Sequence, residues 1–234
     1  MLGVHHALLV YAAPTSLFSR VEDTGAYGWA LVTLLTMVTL IGYAEVQTGL
    51  IDKTVTEQTE KSLAELENTQ GQLVDRIQLK DRMDAVLKQG EFNKLITRLG
   101  RVVLAPVQML VSFLLIASVL YAIVALTGRK PEYHTLMSIC VYAGFIELLA
   151  YIIRLSMMLS YRTINVDTSL GLLAAPGKPS VLAGIDPFRI WFWVLVGMGL
   201  IVTRQLGRRM AIATCATLGI MATAAHVGLV YAGM

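Results

Sequence analysis

The stretch VVLAPVQMLVSFLLIASVLYAIVALT, residues 102–127, decides the fold class of this chain. It runs for 26 residues without a charged side chain, whereas about 20 apolar residues are enough for a helix to cross the hydrocarbon core of a bilayer. Pro106 stands in its first turn, where a proline removes no helical hydrogen bond. The stretch therefore predicts a membrane-spanning α-helix.

The composition of the whole chain agrees with this prediction. Of the 234 residues, 56% are hydrophobic and 15% are charged, whereas an ordinary soluble domain carries about 25% charged residues. These values exclude a disordered chain, a collagen and a nucleic-acid-binding tail, and two cysteines are too few for a disulfide scaffold. We therefore expect an all-α, polytopic membrane protein with no nucleic-acid partner.

Four further apolar stretches predict spans, so the expected total is five. The predicted spans are residues 28–50, 102–127, 135–161, 190–206 and 210–234. Trp29, Trp191 and Trp193 fall at the ends of predicted spans, where membrane proteins carry an aromatic belt. Residues 1–27 contain an apolar run that is too short to cross a bilayer, so we expect an interfacial segment there.

Charge is concentrated between the first two spans. Segment 51–101 holds nine basic and nine acidic side chains, and opposite charges recur four residues apart along it, as on a solvated helix. Gly71 resembles a helix stop, and a second break is allowed at Gln89-Gly90. We expect an extramembrane hairpin of two helices. One long helix that continues the first span is the alternative.

An apolar stripe on this segment is the predicted docking surface. Its members recur at helical spacing and are Leu63, Leu66, Leu73 and Ile77. Isolated helices of about 12–15 residues are marginal in water, so the stripe needs a cover. That cover is the other helix of the hairpin, the loop around 181–188, or a helical partner subunit, which we favour. The balanced charge argues against lipid headgroups, and a solvated hairpin without a binding role is the simpler alternative.

Basic residues in the short segments predict the orientation. With the N-terminus in the cytoplasm, the inner segments hold six basic residues, as the positive-inside rule expects. These are Arg20, Arg129, Lys130, Arg204, Arg208 and Arg209. Segment 51–101, the loop 162–189 and the C-terminus then lie outside.

The sequence offers little catalytic or metal-binding chemistry. His5 and His6 have no cysteine or acidic partner at ligand spacing, and Cys140 and Cys215 lie in different spans without a CxxC pair. The HExxH, GxSxG, Walker A and GxGxxG motifs are absent from the sequence. We therefore expect no catalytic residue, no metal ligand and no cofactor.

Two charged residues inside the third span need an explanation, because an ionisable side chain at membrane depth is costly. Glu147 and Arg154 are seven residues apart and share one helical face. We interpret them as an intramembrane polar clamp whose partners lie on other helices or subunits. The alternative is a small channel or transporter in which His226 of the fifth span joins them.

Several short stretches resemble the Yip1-domain family, in particular its compact bacterial members. PTSLF at 14–18 is similar to the family's P-x-x-x-F lead-in, and GRKPEYHTLM at 128–137 followed by CVYA at 140–143 is similar to the boundary that opens the third span. LAGIDPFRIW at 182–191 resembles the L-x-x-[IL]-D-x-F-x-[IL]-W start of the fourth span and is the most specific stretch.

The resemblance implies a five-span protein of the bacterial inner membrane without an established active site. It implies a non-enzymatic scaffold or accessory subunit of a larger membrane complex. Some bacterial members accompany ABC exporters and their periplasmic adaptors, so we expect such a complex as a partner, beside membrane lipids and other membrane-protein subunits. The segment 51–101 is longer and more charged than the corresponding loop of most compact members.

Overall fold

Helices form every regular element of the part of the chain that the computed structural model describes, which is residues 4–24, 27–70, 76–164, 166, 168–173 and 185–232. The α-helices in chain order are α1 (Val4–Ala12), α2 (Pro14–Thr24), α3 (Gly28–Gln47), α4 (Leu50–Gln70), α5 (Arg76–Leu99), α6 (Ala105–Leu126), α7 (Tyr133–Ala143), α8 (Phe145–Tyr161), α9 (Pro187–Val202) and α10 (Arg208–Ala232). This confirms the all-α class.

Three helical stretches of the described chain are long and apolar enough to cross a membrane. They are Gly28–Gln47, Gln78–Leu126 and Tyr133–Tyr161, and Pro187–Val202 is a shorter apolar helix. These stretches confirm a multi-pass membrane protein. They overlap the first, second and third spans predicted from the sequence.

The first predicted span ends earlier than residue 50. Helix α3 stops at Gln47, and Gly49 adopts a left-handed backbone with a φ of 69°, a conformation that glycine reaches without a steric penalty. Because the chain turns at Thr48 and Gly49 before α4 begins, the alternative of one helix continuing the first span is wrong.

Helices α5 and α6 are joined without a loop. The turn between them, Gly100–Leu104, is π-helical, and the backbone N–H of Ala105 donates to the carbonyl of Gly100. The allowed break at Gln89-Gly90 is wrong, since α5 runs unbroken through both residues. Glycine weakens a helix interior by about 1 kcal/mol, but packing can outweigh that cost.

The chain divides into two compact units. One contains residues 1–37, 108–154 and 167–234, and the other contains residues 38–107 and 155–166. In the first unit α2 packs against α7 and α9, and α9 packs against α10. Leu17, Phe18 and Val21 of α2 are fully buried. The apolar residues of this part of the predicted interfacial segment are therefore covered by protein.

Small residues allow close helix packing in this first unit. A Cβ added to Gly199 would stand 2.6 Å from Cγ2 of Ile139, and one added to Gly219 would stand 3.1 Å from Cδ1 of Trp193. At Gly144, where α7 meets α8, the space of a Cβ is taken by the ring of Phe113. Membrane helices commonly use small residues in this way, because lipid provides no hydrophobic drive for their association.

Two polar contacts define how α9 begins and how two short loops meet. The carboxylate of Asp186 accepts a hydrogen bond of 2.8 Å from the backbone N–H of Phe188, which caps α9 ahead of Pro187. Arg129 donates to the carbonyl of Arg204 at 2.7 Å. The loops after α6 and after α9 therefore lie together.

Candidate functional site

Helices α4 and α5 form an antiparallel pair, which we call the arm. Near the start of α4, Asp52 accepts hydrogen bonds from Arg98 near the end of α5, one of them 2.9 Å from Nε to Oδ1. Farther along α4, Thr59 lies against Gly90, where a Cβ would stand 2.5 Å from the Thr59 Oγ1. The absence of a side chain at Gly90 therefore lets the two helices approach.

The facing sides of the arm form a seam with heptad-like spacing. On α5 the less exposed positions recur at steps of four or three residues, which is close to the spacing of a coiled coil. The seam residues are Ile51, Val55, Thr59, Leu63 and Leu66 on α4, and Leu79, Met83, Val86, Gly90, Lys94 and Thr97 on α5. Helix α4 carries five acidic and two basic residues, whereas α5 carries six basic and three acidic ones. The opposite net charges favour the pairing.

The structure places the predicted docking residues on the inside of the arm where it describes them. Leu63 and Leu66 are half-buried and follow Thr59 on the same face of α4, the face that meets α5. Leu73 lies outside the described residues, and of Ile77 the backbone alone is described, within α5. The other helix of the arm is therefore the cover for Leu63 and Leu66.

A different apolar stripe faces outward from α5. Phe92, Leu95, Ile96 and Leu99 keep between 45% and 61% of their surface exposed, and their spacing of three, four and seven residues places them on one side of the helix. That side is opposite Gly90, so α4 does not cover it. We call these four residues the outer face. Their spacing is visible in the sequence, but which stripe faces α4 is decided by Gly90.

A buried ion pair lies at the base of the arm, in the same unit. Glu45, in the last turn of α3, is 1% exposed, and its Oε2 lies 3.5 Å from Nε of Arg101 in the π-turn. Neither carboxylate oxygen has a hydrogen-bond partner within the described chain. The sequence places Glu45 near a span end but does not identify this partner.

The backbone of the π-turn also touches α3. A Cβ at Gly42 would overlap the carbonyl oxygen of Arg101, so only glycine fits there. Gly42 precedes Glu45 by about one helical turn, and both contact Arg101. π-Helical turns are rare in proteins, and those that occur are often found at functional sites. This contact is therefore a candidate site, one that the sequence does not predict.

The predicted polar clamp lies in the first unit. Glu147 is half-buried in the first turn of α8, within electrostatic range of Arg189 and Asp186 at the start of α9. Arg154 is half-buried two turns later on the same helix. The structure thus brings Glu147 toward charged residues of another helix. His226 belongs to α10, and its side chain lies outside the described residues.

The described residues offer no group of three or more His, Cys, Asp or Glu side chains that could hold a metal ion. Cys140 and Cys215 are buried free thiols. The side chains of His5 and His6 lie outside the described residues.

One comparison with known proteins gives a match that extends over almost the whole chain. The family model described as the Yip1 domain matches residues 8–230. No curated protein and no solved structure matches the chain.

Proposed function

Because this chain belongs to the Yip1-domain family, we propose that it is a non-enzymatic accessory subunit of a larger membrane complex and that the arm is its docking element. The proposed membrane part has five spans, formed by α3, α6, α7 with α8, α9 and α10. Helix α10 has 25 residues, about 37 Å at 1.5 Å per residue. The contact between Arg129 and Arg204 supports this topology, since five spans put both loops on one side.

The outer face is the observation that carries the docking role. The level of these four residues along the arm follows from the contacts that pair Asp52 with Arg98 and Thr59 with Gly90. Lys53 and Glu57 of α4 lie at the same level, with side chains 68% and 55% exposed. Charged side chains this exposed require water, so lipid chains do not cover the outer face at that level. We propose that a partner protein covers the outer face instead.

A helix is the partner structure that fits the outer face. Four apolar side chains at steps of three, four and seven residues form a narrow linear stripe, the pattern by which one amphipathic helix binds another. The orientation with the N-terminus inside places the arm outside the bacterial inner membrane. An ABC exporter with its periplasmic adaptor is the complex that we propose first, from the family resemblance.

Loss of co-purification tests the docking role. Phe92→Ser combined with Ile96→Ser removes two anchors from the outer face. After gentle extraction of the membranes in mild detergent, this double variant should retain the protein's own yield but lose the subunits that co-purify with the unchanged chain. Leu87→Ser is the matched control, since Leu87 is an exposed apolar residue of α5 away from the outer face. Unchanged co-purification of every subunit with the double variant would contradict the proposal.

A small channel or transporter is the second candidate, favoured by the two ionisable residues Glu147 and Arg154 in the largely apolar helix α8. Purified protein in liposomes distinguishes the two. An ion or proton flux that is abolished by Glu147→Gln supports transport, and a flux equal to that of empty liposomes supports the accessory role.

A further inference from the structure

Two segments that are not α-helical attach the arm to α3 and α6, and we call them the joints. They lie close together, because Arg101 in one contacts Glu45 just before the other. One is the turn at Thr48 and Gly49, where the left-handed Gly49 separates α3 from α4. The other is the π-turn that leads from α5 into α6. Neither joint is regular α-helix, so both are places where the backbone can change direction at the lowest cost.

Glu45 connects these two joints in a place where helix physics disfavours an acid. A negative charge in the last turn of a helix lies next to the negative end of its dipole, and Glu45 is also almost fully buried. Its compensating charge comes from the other joint, since Arg101 belongs to the π-turn. The charge of the buried Glu45 is therefore compensated only while the π-turn stays beside α3.

The contact is tight in the backbone and loose in the side chains. At Gly42 the Arg101 carbonyl occupies the volume of a Cβ, so α3 and the π-turn are as close as two backbones allow. The charged pair is held at 3.5 Å, without a hydrogen bond to either oxygen of Glu45 within the described chain. Such a pair gives orientation and can separate without breaking a hydrogen bond.

We propose that Glu45 and Arg101 form a latch that fixes the orientation of the arm relative to the end of α3 and the start of α6, and that the arm swings on its two joints when the latch opens. This regulation rests on the proposed docking function: the latched arm presents the outer face in one direction, so a partner loses less conformational freedom on binding. The Asp52–Arg98 pair moves with the arm, because both residues lie on the arm side of the joints, where they link α4 to α5.

Distance measurements between spin labels on the purified full chain in lipid nanodiscs test the latch. One label replaces Tyr43 on α3 and the other replaces Glu60 on α4, both exposed positions, in a Cys140→Ala and Cys215→Ala background. The latched protein should give a single narrow distance. Glu45→Gln, Arg101→Gln and Gly42→Ala should each lose that narrow distance, the last because its methyl group displaces the π-turn. Lys53→Gln, which breaks the exposed pair with Glu57, should retain it.

A second label pair separates the latch from a purely structural role. Labels at Glu60 and Glu91 lie across the arm, beside the Thr59–Gly90 contact, and should keep a narrow distance in every variant. Loss of this distance would mean that the arm itself has come apart, which overturns the latch. An unchanged distance between 43 and 60 in the three latch variants also overturns it. Because these measurements need no partner, they stand whether or not the outer-face variants lose their subunits.

Discussion

Arg98 holds Asp52 in a two-pronged grip: its Nε donates to Oδ1 at 2.9 Å and its Nη2 donates to Oδ2. The two residues stand 46 positions apart in the chain, so this fork joins the first turn of α4 to the last turn of α5. Both side chains are partly exposed, and exposed ion pairs contribute little to stability on average. Its role is to set which residues of the two helices face each other.

Asp52→Asn is therefore expected to loosen the base of the arm without unfolding it. Amide hydrogen exchange should rise in residues 50–56 and stay unchanged near Thr59. The difference from the unchanged protein should be larger at about 0.01 M salt than at about 1 M salt, because the screening length falls from about 30 Å to about 3 Å. Exchange that rises equally along the whole of α4 would show that the fork holds the entire arm.

The buried pair of Glu45 and Arg101 should behave differently. Arg101→Met leaves a buried carboxylate without its counter-charge, and removing one partner of a buried pair costs about 3–5 kcal/mol. Glu45→Met together with Arg101→Met should recover most of that loss, since replacing both charges by apolar side chains is often neutral. Unfolding of the purified variants, followed by the loss of helical circular dichroism, checks both values. A double variant as unstable as Arg101→Met would mean that the packing of the arginine, and not its charge, matters.

Gly199→Ala should destabilise the first unit by overpacking. The added methyl would stand 2.6 Å from Cγ2 of Ile139, and such insertions cost about 1–3 kcal/mol. Gly228→Ala is the matched control, because nothing lies within 4 Å of its added Cβ and alanine favours a helix by about 1 kcal/mol over glycine. Thermal unfolding should fall for the first variant and hold or rise for the second. Shortening the neighbour by Ile139→Ala should relieve part of the loss in Gly199→Ala.

The orientation is tested by labelling single cysteines in intact spheroplasts, in the background without Cys140 and Cys215. Glu60→Cys on the arm should react with a membrane-impermeant thiol reagent, and Lys130→Cys in the loop after α6 should not. Both positions are exposed, so a lack of reaction reports the side of the membrane and not burial. Reaction at Lys130 together with protection of Glu60 would reverse the orientation.

Glu147→Gln tests the clamp. Removing the carboxylate charge leaves Arg189 without the acid on α8 that acts with it, so thermal stability in detergent should fall and association with other subunits should weaken. Arg189→Gln should have the same effect, and the two together should cost less than the sum, because they remove one shared interaction. Additive losses would show that the two residues act independently.

The apolar character of 102–127 was enough to predict a membrane helix, and the charge pattern of 51–101 was enough to predict helices there. The arm's inner side was not readable in the same way. Leu63 and Leu66 satisfy a helical stripe, but a stripe does not say whether the neighbouring helix or another subunit covers it. Gly90, interpreted as an allowed break, is instead the point of closest approach, since its missing side chain makes room for Thr59.

The ion pair at the base was beyond the sequence for a related reason. Glu45 and Arg101 belong to different helices, and their meeting depends on Gly42 and on a π-helical turn. A π-turn has no simple residue signature. It depends on how two helices join, and less on the preference of any one residue. The entry of Glu147 into a charged group with Arg189 likewise depends on where α9 begins, which Asp186 fixes by capping.

Because α5 passes into α6 through a π-turn and without a loop, the outer face is joined to the following membrane helix by continuous helical backbone. The continuous stretch from Gln78 to Leu126 has 49 residues. A partner that pulls on the arm therefore transmits force to the membrane helix through the backbone of the π-turn. The backbone hydrogen bonds along the helix bear this force one after another. We expect the turn with the least regular hydrogen bonds to open first. In this chain that turn is the π-turn, Gly100–Leu104.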